Sequence, residues 1–125
     1  MEDFFAEATD YTPEINFKAK TGILSIKGDC YHEYVAPFFH PVFEWIKKYL
    51  SEPGKTIQLN FKLEYFNTSA SRRFQEIIDI LEEYQIKKKG KVTVNWYYDK
   101  NSIDALDAGN DFSKGVRIKF NMIPV

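Results

Sequence analysis

Between Ile57 and Tyr84 the chain reads IQLNFKLEYFNTSASRRFQEIIDILEEY, and the spacing of its apolar residues changes once along the way. Ile57, Leu59, Phe61, Leu63 and Tyr65 alternate with Gln58, Asn60, Lys62 and Glu64. That period of two predicts a strand with one buried face. From Ala70 onward Phe74, Ile77, Ile78, Leu81 and Tyr84 instead fall on one helical face. A strand therefore runs directly into a helix across Phe66-Asn67-Thr68-Ser69. Asn67, Thr68, Ser69 and Ser71 line the junction, and any one of them suffices to cap the helix by accepting from its free backbone N–H groups. The surplus of capping side chains marks this turn as the first place to look for function.

The same reading extends along the chain. Met1 to Asp10 reads as a loosely held segment. Thr12-Pro13 starts an extended stretch, because the residue before proline is pushed out of the helical region. Ile15 and Phe17 define a short strand, Lys20-Thr21-Gly22 a turn, and Ile23 to Lys27 the returning strand of a hairpin. Val35, Phe39, Val42, Ile46 and Leu50 lie at helical spacing. Pro37 and Pro41 restrict this segment, so the regular helix is expected from near Pro41 to Leu50, with a looser stretch before it. Phe38, Trp45 and Tyr49 fall off its core face and are either an exposed partner patch or the seat of the N-terminal segment. Lys87, Lys88, Lys89 and Lys91 surround Gly90, as suits a helix C-terminus. Val92, Val94, Trp96 and Tyr98 form a further strand. Asn101 or Ser102 caps a short helix through Ile103, Leu106 and Ala108, closed at Gly109. Val116, Ile118, Phe120 and Met122 form the last strand.

The resulting order, β-β-α-β-α-β-α-β, predicts an α/β fold: a two-layer sandwich with a mixed sheet of about five strands and helices packed mainly on one face. Residues 11–125 form a single domain in this reading.

Composition narrows the function. A net charge of −1 argues against a dedicated nucleic-acid binder. The acid-rich start MEDFFAEATDY is unlike a signal peptide, no apolar run is long enough for a membrane span, and a single cysteine, Cys30, suits a reducing cytoplasm. Cys30, His32 and His40 match no common zinc spacing and lack a fourth partner of their kind, so no metal site is expected. Neither a GxGxxG nor a GxxxxGK[ST] phosphate loop is present, and no local nucleophile–base grouping supports catalysis, so neither a cofactor nor an enzyme is expected.

LEYFNTSASRRFQEIIDILEE resembles the signature of the SiaC family of bacterial regulatory phosphoproteins, whose fold is similar to STAS domains and anti-sigma-factor antagonists. TPEINFKAKTGILSIKGDCYHE, FHPVFEWIKKYL and VNWYYDKNSIDALDAGNDF extend the resemblance over roughly Glu7 to Ile123. It implies a STAS-like sandwich and a phosphoacceptor hydroxyl in the turn. The matching residue is Thr68, with Ser69 as the alternative. The resemblance also implies a serine/threonine kinase, an opposing PPM-type phosphatase and an output partner, a diguanylate cyclase in the best-known branch. Ala70 stands where the family often has serine, and Cys30-Tyr31-His32-Glu33-Tyr34 replaces a more usual Ser-Tyr-Pro-Glu-Asn. On physical grounds a helix N-terminus accommodates a phosphate, with Arg72 and Arg73 near enough along the chain to pair with it, and Asn67, Ser69 and Ser71 beside it. Two other readings stay open: a small-molecule binder, and a constitutive interaction module in which Thr68 is only a helix cap.

Overall fold

The alternation of Ile57, Leu59 and Phe61 produces the strand it predicts. In the computed structural model, which describes residues 1–31 and 35–125, β4 (Thr56–Phe66) buries all three side chains. Around it lie β1 (Phe4–Ala6), β2 (Glu14–Lys18), β3 (Ile23–Cys30), α1 (Val35–Tyr49), α2 (Thr68–Lys88), β5 (Lys91–Tyr98), α3 (Ile103–Ser113) and β6 (Lys119–Pro124). The strands form one six-stranded sheet in the order β1-β2-β3-β4-β5-β6. Its first three strands are antiparallel, while β3 through β6 run parallel. β4 thus lies inside the sheet, hydrogen-bonded on both sides.

Ring contacts place all three helices on one face. Leu24 pairs with both Phe17 and Leu59, so Phe17 shares a face with Leu59 and Phe61. On that face Phe17 meets Trp45 of α1 at 5.3 Å, Phe61 meets Phe74 of α2 at 5.4 Å, and Trp96 meets Phe112 of α3 at 5.4 Å. Phe39 and Phe74 join the two longer helices at 5.8 Å. Burying each such ring stabilises the fold by roughly 1.5–3 kcal/mol.

The opposite face is polar and organised by amides. Asn16, Ser25, Asn60, Asn95 and Asn121 are paired in one row across five strands. Asn121 donates to Asn95 Oδ1 at 2.9 Å, and Asn95 donates to Asn60 Oδ1 at 2.9 Å. Gln58 also donates to Asn60 Oδ1, at 3.0 Å. Mutual satisfaction lets Asn60 and Asn95 sit at only 6% and 8% exposure on a face no helix covers.

Several expectations need correction. The sheet has six strands rather than about five, because Phe4–Ala6 pairs antiparallel with β2. The N-terminal segment is accordingly held more firmly than expected, with Trp45 Nε1 donating to the Glu2 carbonyl at 2.9 Å and the Ala19 N–H to Asp3 Oδ1 at 2.8 Å. Trp45 is therefore buried under this segment rather than exposed, and Tyr49 is buried beside it, stacked on Trp45 at 4.7 Å and donating to the Ala19 carbonyl at 2.7 Å. Phe38 is half-buried against Phe39.

Helix α1 begins at Val35, not near Pro41. Pro37 fits its first turn, and Pro41 stands inside it, where burial of Val35, Phe39, Val42 and Ile46 offsets the backbone bond the ring removes. Helix α2 starts at Thr68 and continues past Tyr84 to Lys88, with Lys89 as its left-handed C-cap at φ 56°. Gly109 does not close α3 but lies within it, where a Cβ would stand 2.5 Å from Trp96 Cδ1. Ser102, rather than Asn101, caps that helix by accepting from the Ala105 N–H at 3.1 Å. Leu63 is half-buried rather than buried.

Candidate functional site

The junction of β4 and α2 is built by an irregularity in strand pairing. Gly28 pairs with Leu63 but Cys30 with Phe66, so Glu64 and Tyr65 together face Asp29 alone. Such a bulge bends a strand and re-aims its side chains. Phe66 turns into the core, 5.5 Å from Phe74 and 5.9 Å from Trp96. Tyr65, which strict alternation assigns to the buried face, is 57% exposed instead. Its ring meets Tyr31 edge-on at 5.2 Å, and Tyr31 meets Tyr11 edge-on at 5.3 Å. The Tyr31 phenol is pushed up, first by burial against its neighbours and then by the charges of Asp29 and Asp10 and the adjoining tyrosines.

Asn67 anchors the turn. Its N–H donates to the Cys30 carbonyl at 3.1 Å, tying the turn to the end of β3. Its backbone is extended (φ −90°, ψ 178°), and its Oδ1 accepts from the Ala70 N–H at 2.9 Å. The Ser71 N–H donates to the Asn67 carbonyl at 2.9 Å, the first helical bond. Asn67, not Thr68, is therefore the N-cap. Asparagine is among the best capping residues because its short amide reaches these N–H groups without strain.

With the cap supplied by Asn67, Thr68 occupies the first helical position. Thr68 and Ser69 are both exposed, and neither side chain is hydrogen-bonded among the described residues. Ala70, in contrast, is fully buried. Ser71 is half-buried. The first turn of α2 contains no acidic residue, whereas α3 carries Asp104 in its own. The partial positive charge at this helix start thus meets no neighbouring carboxylate in its own first turn.

The two arginines part company. Arg72 is exposed. Arg73 donates from Nη2 to Glu76 Oε1 at 2.6 Å and lines an open groove between α1 and α2 with His40, Lys47 and Asp79. Its Nε is buried without a partner among the described residues. Of the two arginines, Arg72 is the one left uncommitted beside the turn among the described residues.

Cys30 lies beneath this site, fully buried, its thiol pushed up to about 12 by burial. It is accordingly a protonated core group and a poor nucleophile. Among the described residues no group of His, Cys, Asp and Glu is placed to hold a metal, and no helix is long and apolar enough to cross a membrane. His32, part of the ligand set considered with Cys30 and His40, lies outside the described residues. The bulge and the tyrosine cluster were missed by sequence reasoning, because the residue types alternate regularly through Tyr65. The absence of first-turn acids was readable once the helix start was known.

Residues 6–125 match the SiaC family regulatory phosphoproteins. An uncharacterised protein of Pseudomonas aeruginosa is 29% identical over 121 residues, covering 96% of this chain and 94% of that protein. The crystal structure of apo-SiaC from Pseudomonas aeruginosa superposes with a TM-score of 0.91 at 28% identity, covering 98% of this chain and 99% of that one. SiaC from the same organism, crystallised as the activator in complex with the diguanylate cyclase SiaD, gives a TM-score of 0.92 at 27% identity, covering 98% and 100% of the two chains. A family match over nearly the whole chain, joined to the same fold, has one meaning: the chain belongs to the SiaC family of regulatory phosphoproteins.

Proposed function

We propose that this protein is a switch whose partner binding is set by reversible phosphorylation of Thr68. It has no catalysis of its own. The observation that carries the reading is the state of Thr68: exposed, with its hydroxyl uncommitted, at the start of a 21-residue helix whose first turn contains no acid. A kinase can reach such a hydroxyl without unfolding the turn, and the helix end tolerates the product. Phosphorylation adds about −1.5 to −2 charges and three acceptor oxygens. The free N–H groups and partial positive charge of α2 favour that charge, and Arg72 is the side chain available to pair with it. Arg73, held by Glu76, contributes only if it leaves that partner. Ser69 is the alternative acceptor, equally exposed but one position further into the helix.

The output partner in this reading is a diguanylate cyclase, the class of protein bound by the structural relative, and it binds the unphosphorylated form. A serine/threonine kinase and a PPM-type phosphatase complete the cycle in the cytoplasm. Intact mass and phosphosite mapping of protein isolated from its native cells tests the assignment. One phosphoryl group on Thr68 is the expected result. Complete absence of phosphate under all growth conditions, or phosphate only at a buried residue, would overturn it.

A further inference from the structure

The tyrosine cluster beside the turn stands largely in solvent. Tyr11, Tyr31 and Tyr65 are 51%, 37% and 57% exposed, in a fold whose other rings are mostly buried or half-buried. Two features bring them to the surface together. The bulge opposite Asp29 turns Tyr65 out, and the Tyr31 N–H donates to the Tyr11 carbonyl at 3.0 Å, tying the N-terminal segment to the end of β3. The cluster is continuous with the Thr68 turn: Tyr65 precedes Asn67 by two residues, and Asn67 bonds to Cys30, the neighbour of Tyr31. Asp29 and Asp10 act on the Tyr31 phenol, and neither carboxylate has an ion-pair partner among the described residues. Aromatic faces flanked by unneutralised carboxylates suit a guanidinium group, which stacks on rings while pairing with acids. Tyrosine and arginine are also the side chains that most often dominate interface energetics.

We infer that Tyr11, Tyr31 and Tyr65, with Asp10 and Asp29, form the anchor for an arginine-bearing segment of the partner that binds the unphosphorylated protein. This rests on the switch reading and divides the labour within it. The cluster supplies affinity, and the adjoining Thr68 turn supplies control, because the part of the partner passing over the turn must accept either a neutral hydroxyl or a dianion. The phosphate itself is served by the α2 N–H groups and Arg72.

The test measures affinity of the full-length protein for its cognate diguanylate cyclase, with thermal melting as a folding control. Tyr31→Ala and Tyr65→Ala should each weaken binding by about tenfold or more, while Tyr31→Phe stays near wild type. Tyr65→Lys, which places a like charge before an incoming arginine, should weaken it further and serves should the alanine variant melt early. Asp29→Asn should slow association and flatten its salt dependence. Thr68 phosphorylation should still reduce the residual binding of each variant. Unchanged affinity in the tyrosine variants, with phosphorylation still weakening wild-type binding, would overturn the anchor and leave the switch intact. Loss of binding in those variants with no effect of phosphorylation would support the anchor and remove the switch.

Discussion

Asn67 Oδ1 accepts the Ala70 N–H at 2.9 Å, and Thr68, which sits between them in sequence, takes no part in that bond. Capping is thereby assigned to Asn67, which leaves the Thr68 hydroxyl free of that duty. Asn67→Ala should cost about 1 kcal/mol of stability, the usual loss when a cap is removed. Thr68→Ala, at an exposed position with no partner, should change stability by no more than about 0.5 kcal/mol. Urea denaturation of the two variants checks the difference; a larger loss in Thr68→Ala would return the capping role to threonine.

Gly109 offers a second test, in which helix propensity and packing pull in opposite directions. In an exposed helix interior Gly→Ala stabilises by about 1 kcal/mol. Here the new Cβ would meet Trp96 Cδ1 at 2.5 Å, Met122 Cε at 2.6 Å and Trp96 Nε1 at 2.7 Å. The indole is also fixed by donating to the Ala105 carbonyl at 3.0 Å, so it cannot swing away without losing that bond. Gly109→Ala should therefore destabilise, by roughly 1–3 kcal/mol, with a changed tryptophan emission spectrum. A more stable variant would show that α3 shifts freely over the sheet.

Much of this architecture was legible because local pattern and tertiary burial agree there. Ile57, Leu59 and Phe61 alternate and are buried; Phe74, Ile77, Ile78 and Leu81 keep helical spacing and are buried. The reading failed where long-range contacts decide. Phe4–Ala6 is too short to signal a strand and exists because β2 and Trp45 receive it. Trp45 and Tyr49 look surface-facing only while that segment is thought loose. Pro41 argues against a helix that packing nevertheless holds together. At the site, the composition of the turn and the resemblance together pointed to Thr68, but identical alternation through Leu63 and Tyr65 concealed a bulge that only strand pairing reveals.

Cys30 makes the stability depend on pH in a defined direction. Burial raises its thiol from the ordinary 9.0 to about 12, so the folded state holds this proton more tightly than the unfolded chain. Its contribution is complete below pH 9.0 and is lost progressively as the pH rises toward about 12. The Tyr49 phenol, raised by burial and by Tyr84, adds loss of the same sign. Denaturation midpoints should fall through this alkaline window, less steeply in Cys30→Ala, where only the phenols remain. At neutral pH the folded protein should resist iodoacetamide until denaturant exposes the thiol. Rapid alkylation of the native protein would contradict the buried, protonated assignment.

In the proposed switch a single phosphoryl group on Thr68 controls partner binding without unfolding the protein. Calorimetric titration of the cognate diguanylate cyclase with unphosphorylated wild type, Thr68-phosphorylated protein and Thr68→Ala tests it most directly, with circular dichroism to confirm that all three share one fold. A dianion left unpaired at an interface costs several kcal/mol, so phosphorylation should weaken binding by about a hundredfold or more. Thr68→Ala should bind about as tightly as unphosphorylated wild type and show no response to kinase. Equal affinities for all three proteins would contradict the account and leave a constitutive interaction module in its place.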